Sequence, residues 1–384
     1  MSKINLTEEE LTKLWAAVND GAEPPPEMAG RLFPSFMEKL AAGGKFDFET
    51  LNRIRIPTLE YAGKRQEGVI LAGAALLGQS APLQSLRTFG ESAPDGWRNL
   101  IVQGDNLQFL KTIFLNQDPL IKDKVKGKVK LFYNDPPFAT KADFQSKEGA
   151  TSYSDKIESA EFLEDLRERL IFMRETLAED GSIYLHLDWR SNSYFRVIMD
   201  EIFGKDKFRN EVIWDYSFRM MDLPNFFNRK HDTILFYSKG NNIFRMPKTE
   251  WTKEDILKSR KQAIHIDEDG VEWIWMPGGK GHSKSKLRRV DEILDTGKSI
   301  SDVWDIPIIS SSSKERTDYP TQKPEALLER IIRASSNPGD LVMDIFGGSG
   351  TTAAVAEKLD RRWITCDFGK HAIYTMQKRL LNIA

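Results

Sequence analysis

A single cysteine, five histidines and no long apolar run set the first limits on this chain of 384 residues. Cys366 has no second cysteine in the chain to form a disulfide, and no C-x-x-C or H-E-x-x-H spacing suggests a zinc site. His186, His231, His265, His282 and His371 are scattered, which favours structural roles over ligation, and no metal is expected. No apolar stretch reaches the ~20 residues that span a bilayer. The opening residues, MSKINLTEEE, are polar and acidic, so the expected location is the cytoplasm. Charge of one sign is also lacking: 55 Lys and Arg oppose 57 Asp and Glu, a formal net of -2. So balanced a chain has no global electrostatic footprint for a polyanion, and basic character must be sought locally. Repeats and low-complexity tracts are missing, and an apolar fraction of 40% with 29% charged residues sets fibrous and disordered classes aside.

What is present is enough apolar sequence for one large domain with additions. Residues 1–95 read as an N-terminal helical accessory region, with helical spacing in LTEEELTKLWAAVND and PPEMAGRLFPSFMEKLAAGG. From residue 96 the texture changes to short apolar runs alternating with amphipathic stretches. Strands are expected over 100–103, 129–134, 182–186, 211–214, 233–237, 341–345 and 363–366. Helices are expected over 159–178, 193–203, 323–334, 351–359 and 372–382. Such alternation predicts an α/β fold with a mostly parallel, Rossmann-like sheet. The runs at 211–214 and 233–237 have no helical pattern between them, which predicts one antiparallel strand at the sheet edge. Between 241 and 318 the alternation fails, so this stretch is expected to be a small insertion between 96–240 and 319–384.

The segment LVMDIFGGSGTTAAVAEKLDRRWITCDF is an apolar strand, a glycine-rich turn, a helix and a second strand ending in an acid. Gly348 and Gly350 allow close approach of backbone to a ligand, and Thr351 opens a helix whose N-terminus faces the same point. Asp367 ends the second strand, where a carboxylate can accept hydrogen bonds from both hydroxyls of a ribose. A Walker A loop is excluded because no Gly-Lys-Ser/Thr follows. The letters from Gly348 to Ala353 also fit G-x-G-x-x-A, so at this point a nicotinamide-dependent dehydrogenase and a structural tight turn both stay open.

A second motif, Asp135-Pro136-Pro137-Phe138, follows the expected strand LFYN. The prolines fix φ and hold each preceding residue out of the helical region, so the turn is stiff and Asp135 is aimed. A fixed carboxylate, an exposed carbonyl and an aromatic face suit an exocyclic amino group of a nucleobase. Its lone pair is delocalised into the ring, and two acceptors on its hydrogens favour the pyramidal, more nucleophilic form. With an activated methyl sulfonium as electrophile, positioning and electrostatics suffice without a strong base. Read alone, Pro-Pro also simply ends a strand, and that reading stays open here.

Together the two motifs resemble those of a known family. DPPF, followed about two hundred residues later by YPTQKPEALLERIIRASSNPGDLVMDIFGGSGTT, is similar to the S-adenosylmethionine-dependent amino-methylating DNA methyltransferases in their permuted β-class order, the catalytic motif before the glycine motif. IVQGDNLQFL, GSIYLHLDW, YFRVIMDEIFG, HDTILFYSK and DVWDIP extend the likeness from about residue 101 to the end of the chain, in the style of type III restriction-modification subunits and their solitary relatives. The resemblance implies that Asp135 and the Pro136 carbonyl accept from the target amino group and that Phe138 stacks on the base. It implies that Gly348 and Gly350 pass the cofactor, Asp367 holds its ribose, Asp105 approaches its adenine, and Thr321, Gln322 and Lys323 lie near its methionine. Asp344 and Phe346 complete D-x-F-x-G-x-G. Ile345 stands where the family often has Pro, and Gly347 where Ala is common. Asp before two prolines implies adenine N6, whereas Ser there implies N4-cytosine.

The implied partner is double-stranded DNA, with the target nucleotide rotated out of the helix. GGKGHSKSKLRR places Lys280, Lys284, Lys286, Arg288 and Arg289 in a candidate phosphate-binding loop, although its flanks are acidic. Trp273, Trp275 and Trp304 are expected in core positions more than in a groove. By its place between the two motifs, 241–318 is the expected target-recognition region. A homodimer and a restriction subunit are further partners the resemblance implies; the chain stops just after the helix following Asp367, where type III subunits commonly continue. N4-cytosine methylation, a catalytically silent DNA-specificity subunit and an RNA substrate are the competing readings.

Overall fold

Val129–Asn134, with the sequence VKLFYN, is buried along almost its whole length, as is Leu341–Asp344, with the sequence LVMD. Strands covered on both faces carry continuous apolar runs of this kind, and they lie at the middle of a parallel sheet. The computed structural model describes residues 57–76, 80–137, 143–145, 151–154, 160–216, 222–260, 263–276 and 286–383, together with Thr7, Thr12 and Lys13. Its main sheet has eight strands. They are β1 (Leu100–Gln103), β2 (Val129–Asn134), β3 (Leu177–Leu187), β4 (Phe208–Asp215), β5 (His231–Ser238), β6 (Val303–Asp305), β7 (Leu341–Asp344) and β8 (Arg362–Asp367). The helices around it are α1 (Glu67–Leu76), α2 (Asn106–Leu115), α3 (Ala160–Thr176), α4 (Asn192–Phe203), α5 (Glu325–Ser335), α6 (Thr351–Lys358) and α7 (Lys370–Leu381).

The strand order is β1-β8-β7-β2-β3-β5-β4-β6. All neighbours are parallel except at β5, which runs against both β3 and β4. The reversed strand is therefore third from the edge and not at the edge as expected. The difference comes from β5 entering between β3 and β4 and pairing with both, while Val303–Asp305, too short for a sequence pattern, pairs in parallel with Ile213–Asp215 and closes the open side of β4.

Side chains alternate between two cores, as the twofold period of a strand demands. Phe132, Met343, Ile183 and Ile364 point to the face packed by α2, α3 and α4, against Leu110, Leu170, Phe172 and Phe195. Leu131, Tyr133, Val342 and Tyr184 point to the face packed by α5 and α6, against Leu328, Ile331 and Ala356. α1 adds Ile70 and Ala74 to the first core, which accounts for part of the N-terminal region. The helix expected within 25–44 lies outside the described residues; of the one expected within 6–20, Thr12 and Lys13 are described and helical.

Within the insertion, Glu272–Met276 pairs with Lys286–Arg289 and with His265–Ile266 in a separate three-stranded sheet. Ile256, Ile274, Val290 and Ile293 form its small core. No helix among the described residues is long and apolar enough to cross a membrane.

The connections place the site. From β2 the chain crosses to β3 through α3 on one face, and from β7 to β8 through α6 on the other. Crossovers that leave neighbouring strands on opposite faces open a crevice at their carboxyl ends, between β7 and β2.

Candidate active site

Asp135 follows β2 and Asp344 ends β7, so the two walls of that crevice each carry a carboxylate. Asp367 ends β8, one strand further out, and pairs in register with Gln103 of β1. Three acids far apart in sequence thus share one sheet edge.

The glycine turn after β7 is built by hydrogen bonds to these acids. The Asp344 carboxylate accepts from the Phe346 N–H at 2.9 Å and the Thr352 hydroxyl at 2.6 Å. Burial, reinforced by the neighbouring Asp135 and Asp367 charges, pushes its pKa up to about 7 against the relief those two donors give. Asp367 accepts from Gly348 N–H at 2.9 Å and Gly369 N–H at 2.8 Å, and burial raises its pKa. Each oxygen keeps a lone pair for a hydroxyl donor. Burial also holds the Cys366 thiol far above its ordinary range, so it stays protonated.

Gly350 has φ of +74° and caps α6 where a Cβ would stand 2.8 Å from Met376 Cγ. At Gly347 a Cβ would meet Thr365 Oγ1 at 2.2 Å, so alanine does not fit this turn without displacing β8 side chains. Tyr319, stacked on His371 with ring centroids 5.3 Å apart, walls the turn: its ring carbon lies 3.4 Å from the place of a Gly348 Cβ.

Lys323 joins the two motifs. Its ammonium is hydrogen-bonded to Asp135 Oδ2, across 188 residues of sequence, and the side chains are only 11% and 18% exposed. The Lys323 carbonyl accepts from the Thr351 hydroxyl at 3.2 Å, which fastens this lysine to the start of α6. Arg379, nearly buried, donates to Thr351 Oγ1 at 2.9 Å and to Glu325 Oε1 at 2.8 Å. Sequence reading did not find Arg379, since a buried arginine on a C-terminal helix carries no local signal.

Other expected residues are occupied within the fold. The Gln322 carboxamide accepts from the Thr317 N–H and hydroxyl, both at 2.8 Å, and donates to the Glu315 carbonyl at 2.7 Å. It staples the loop. Thr321 is exposed and holds φ of +65°. Asp105 is the N-cap of α2, accepting from Gln108 N–H at 2.8 Å, with Arg169 3.8 Å away. Phe346 is half-buried, Pro136 buried and Pro137 exposed, while Phe138 lies outside the described residues. Sequence reading also passed over Phe368, which follows Asp367 and is 79% exposed at the same edge.

Beneath Asp135 runs a polar chain that sequence did not reveal. Tyr133 Oη meets His186 Nδ1 at 2.8 Å, and His186 Nε2 meets Asp232 Oδ2 at 3.1 Å. Burial, with Asp135, Asp344 and Asp232 nearby, raises the Tyr133 pKa well above that of a free phenol, so it remains neutral. Asp232 is pulled below the ordinary range: burial opposes this, but His186, Lys323 and Tyr216 outweigh it.

In the insertion, Arg288 lies 3.9 Å from Glu292 and Arg289 2.5 Å from Asp291, so the acidic flank offsets both charges. Lys280 and Lys284 lie outside the described residues, and Lys286 is placed only as a residue of the strand. Trp304 is in the core, whereas Trp275 is 45% exposed.

A carboxylate and a glycine turn stand on the two sides of the switch point of a parallel sheet, where open α/β folds take their ligands. Comparison with known proteins names the class. A family model for DNA methylases, N6_N4_Mtase, matches residues 129–378, and the chain belongs to this family of DNA methyltransferases. It is 33% identical to the type II methyltransferase M.EcaI of Enterobacter cloacae over 361 residues, 84% of this chain and 77% of that protein. It is 26% identical to the DNA adenine methyltransferase YhdJ of Escherichia coli, covering 73% of this chain and 82% of that protein. A probable type III Mod subunit, HindVI of Haemophilus influenzae, is 24% identical over 69% of this chain and 48% of its own length. Identity is thus higher to a type II methyltransferase than to this type III subunit.

Proposed function

We propose that the chain transfers a methyl group from S-adenosylmethionine to N6 of adenine in double-stranded DNA, within a restriction-modification or related system. The observation that carries this reading is the Lys323–Asp135 contact, which brings the DPPF and TQKP motifs together beside the glycine turn. When bound, S-adenosylmethionine supplies an activated methyl on a sulfonium. Gly348, Gly350 and Phe346 leave room for it, Asp367 accepts from its ribose hydroxyls, and the exposed Phe368 offers a flat surface to its adenine. Thr351, Gln322 and Arg379 keep the cradle closed from behind, and Thr321 and Asp105 border it.

Asp135 and the Pro136 carbonyl take the two hydrogens of the target amino group, so its lone pair turns toward the methyl. Phe138 stacks on the base, and Pro137 keeps the turn rigid. Lys323, hydrogen-bonded to Asp135, holds its carboxylate oriented until the amino group engages it. No strong base is needed, because the methylated nitrogen becomes acidic enough to give its extra proton to the Asp135 carboxylate or to water once the bond has formed. Residues 96–240 and 319–384 carry this chemistry and 241–318 read the target sequence, with 1–95 as an accessory region. A second copy of the chain and a restriction endonuclease are the further partners this reading includes.

The test is incubation with tritiated S-adenosylmethionine and unmethylated genomic DNA, followed by digestion to nucleosides. Label in N6-methyladenine is expected. Label in N4-methylcytosine would overturn the adenine assignment, and no label in DNA would overturn the enzymatic one.

A further inference from the structure

Outside the site just described, aromatic and cationic side chains gather where β3 ends and β5 begins. Leu187 of β3 pairs with Thr233 of β5, so Trp189 and the stretch Phe226–Arg229 lie on the edge that carries Asp135. Asn134 pairs with Leu185, which puts Asp135 level with His186. Trp189 follows in the turn just past the end of β3, on the same edge of the sheet. Here Arg229 lays its guanidinium 3.8 Å from the Trp189 ring centroid and 4.8 Å from that of Phe226. Arg190 also lies over the Trp189 ring, 5.3 Å from its centroid, and is paired with Asp188. Among the described residues no carboxylate is paired with Arg229. Trp189 is 47% exposed, Phe226 53% and Phe227 96%.

These rings do not pack a core, and together they form one apolar patch crossed by positive charge. A guanidinium lying on aromatic rings is oriented without being neutralised. That combination suits a polyanion with stackable faces. The neighbouring site needs such a partner at this spot: extruding a nucleotide leaves the adjacent bases unstacked, and phosphates on either side must be held while it is out.

We propose that Trp189, Phe226, Phe227 and Arg229 form the surface that takes DNA beside the extruded nucleotide. Arg229, braced on Trp189 and Phe226, holds a flanking phosphate, and Phe227 offers its ring to the exposed base stack. The proposal rests on the DNA-methylation reading above and adds to it a surface separate from the insertion.

The experiment measures binding of a fluorescein-labelled duplex of mixed sequence by anisotropy, for the full chain and for Phe227→Ala, Arg229→Ala, Phe227→Trp and Arg229→Lys. Cofactor affinity is measured in parallel by calorimetry. Both alanine variants are expected to weaken duplex binding roughly tenfold, and Arg229→Ala to lower the salt slope by about one phosphate. Phe227→Trp and Arg229→Lys should recover most of the affinity, and S-adenosylmethionine binding should be unchanged throughout. Duplex binding equal to wild type in both alanine variants would overturn the proposal. So would a parallel loss of cofactor affinity, which would make the rim part of the framework. Methyl transfer by the wild-type chain reports separately on the underlying reading.

Discussion

Asp344 shows how far a single environment moves a group. Buried beside two other acids, it titrates near 7 where an ordinary aspartate titrates at 3.8. Because the folded value is raised, protonation favours the fold: the contribution is complete below about 4 and is lost as pH rises through about 7. Urea unfolding of the wild type between pH 5 and 8 should therefore show a decline on the order of a few kcal/mol from this group. Asp344→Asn, which keeps an acceptor for Thr352 and Phe346 without the charge, should flatten that decline; an unchanged slope would place the titration elsewhere. Residue identity was legible at Asp135, Gly348, Gly350 and Asp367, whose chemistry is local to short motifs. It was not legible at His186, Asp232 or Arg379, because partners far away in sequence are brought to them only by the fold: Tyr133 meets His186 across 53 residues, His186 meets Asp232 across 46, and Arg379 meets Glu325 across 54.

Elements were legible where burial on both faces leaves an unbroken apolar run, as in VKLFYN and LVMD, or where helical spacing is regular, as in EALLERIIRAS. β6 escaped because three residues cannot display a period, and the reversed strand was misplaced because no local pattern says that β5 enters between β3 and β4. α2 opens on Asp105, an N-cap acid whose part in the helix was overlooked in favour of a ligand contact. The turn between β7 and α6 makes a sharper claim on its sequence. Gly347→Ala should destabilise the chain by about 1–3 kcal/mol through overpacking against Thr365. Thr365→Ala in the same chain should relieve most of that loss. Chemical denaturation of the two single variants and the double variant measures the coupling, and additive effects would show that Thr365 is not the obstacle. Phe132, fully buried in β2, should cost about 3–5 kcal/mol when cut to alanine, read by the same unfolding curves.

For the molecule as a whole, the order of the two motifs in sequence is immaterial to the sheet, which sets β2 and β7 side by side although more than two hundred residues separate their starts. This juxtaposition is what composition could not supply. A net charge of -2 concealed a cationic, aromatic rim, and the basic segment that stood out in sequence proves to be partly offset by its own acids. The central claim is that Asp135, beside the crevice on β2, serves the target base while Asp367, two strands away at the end of β8, serves the cofactor. The most direct test pairs calorimetric titration of S-adenosylmethionine with single-turnover methyl transfer, in Asp135→Ala and Asp367→Ala. The account predicts that Asp135→Ala binds the cofactor nearly as the wild type does but transfers roughly 10²–10³-fold more slowly, whereas Asp367→Ala loses cofactor affinity. Methyl transfer at the wild-type rate by cofactor-saturated Asp135→Ala would contradict it.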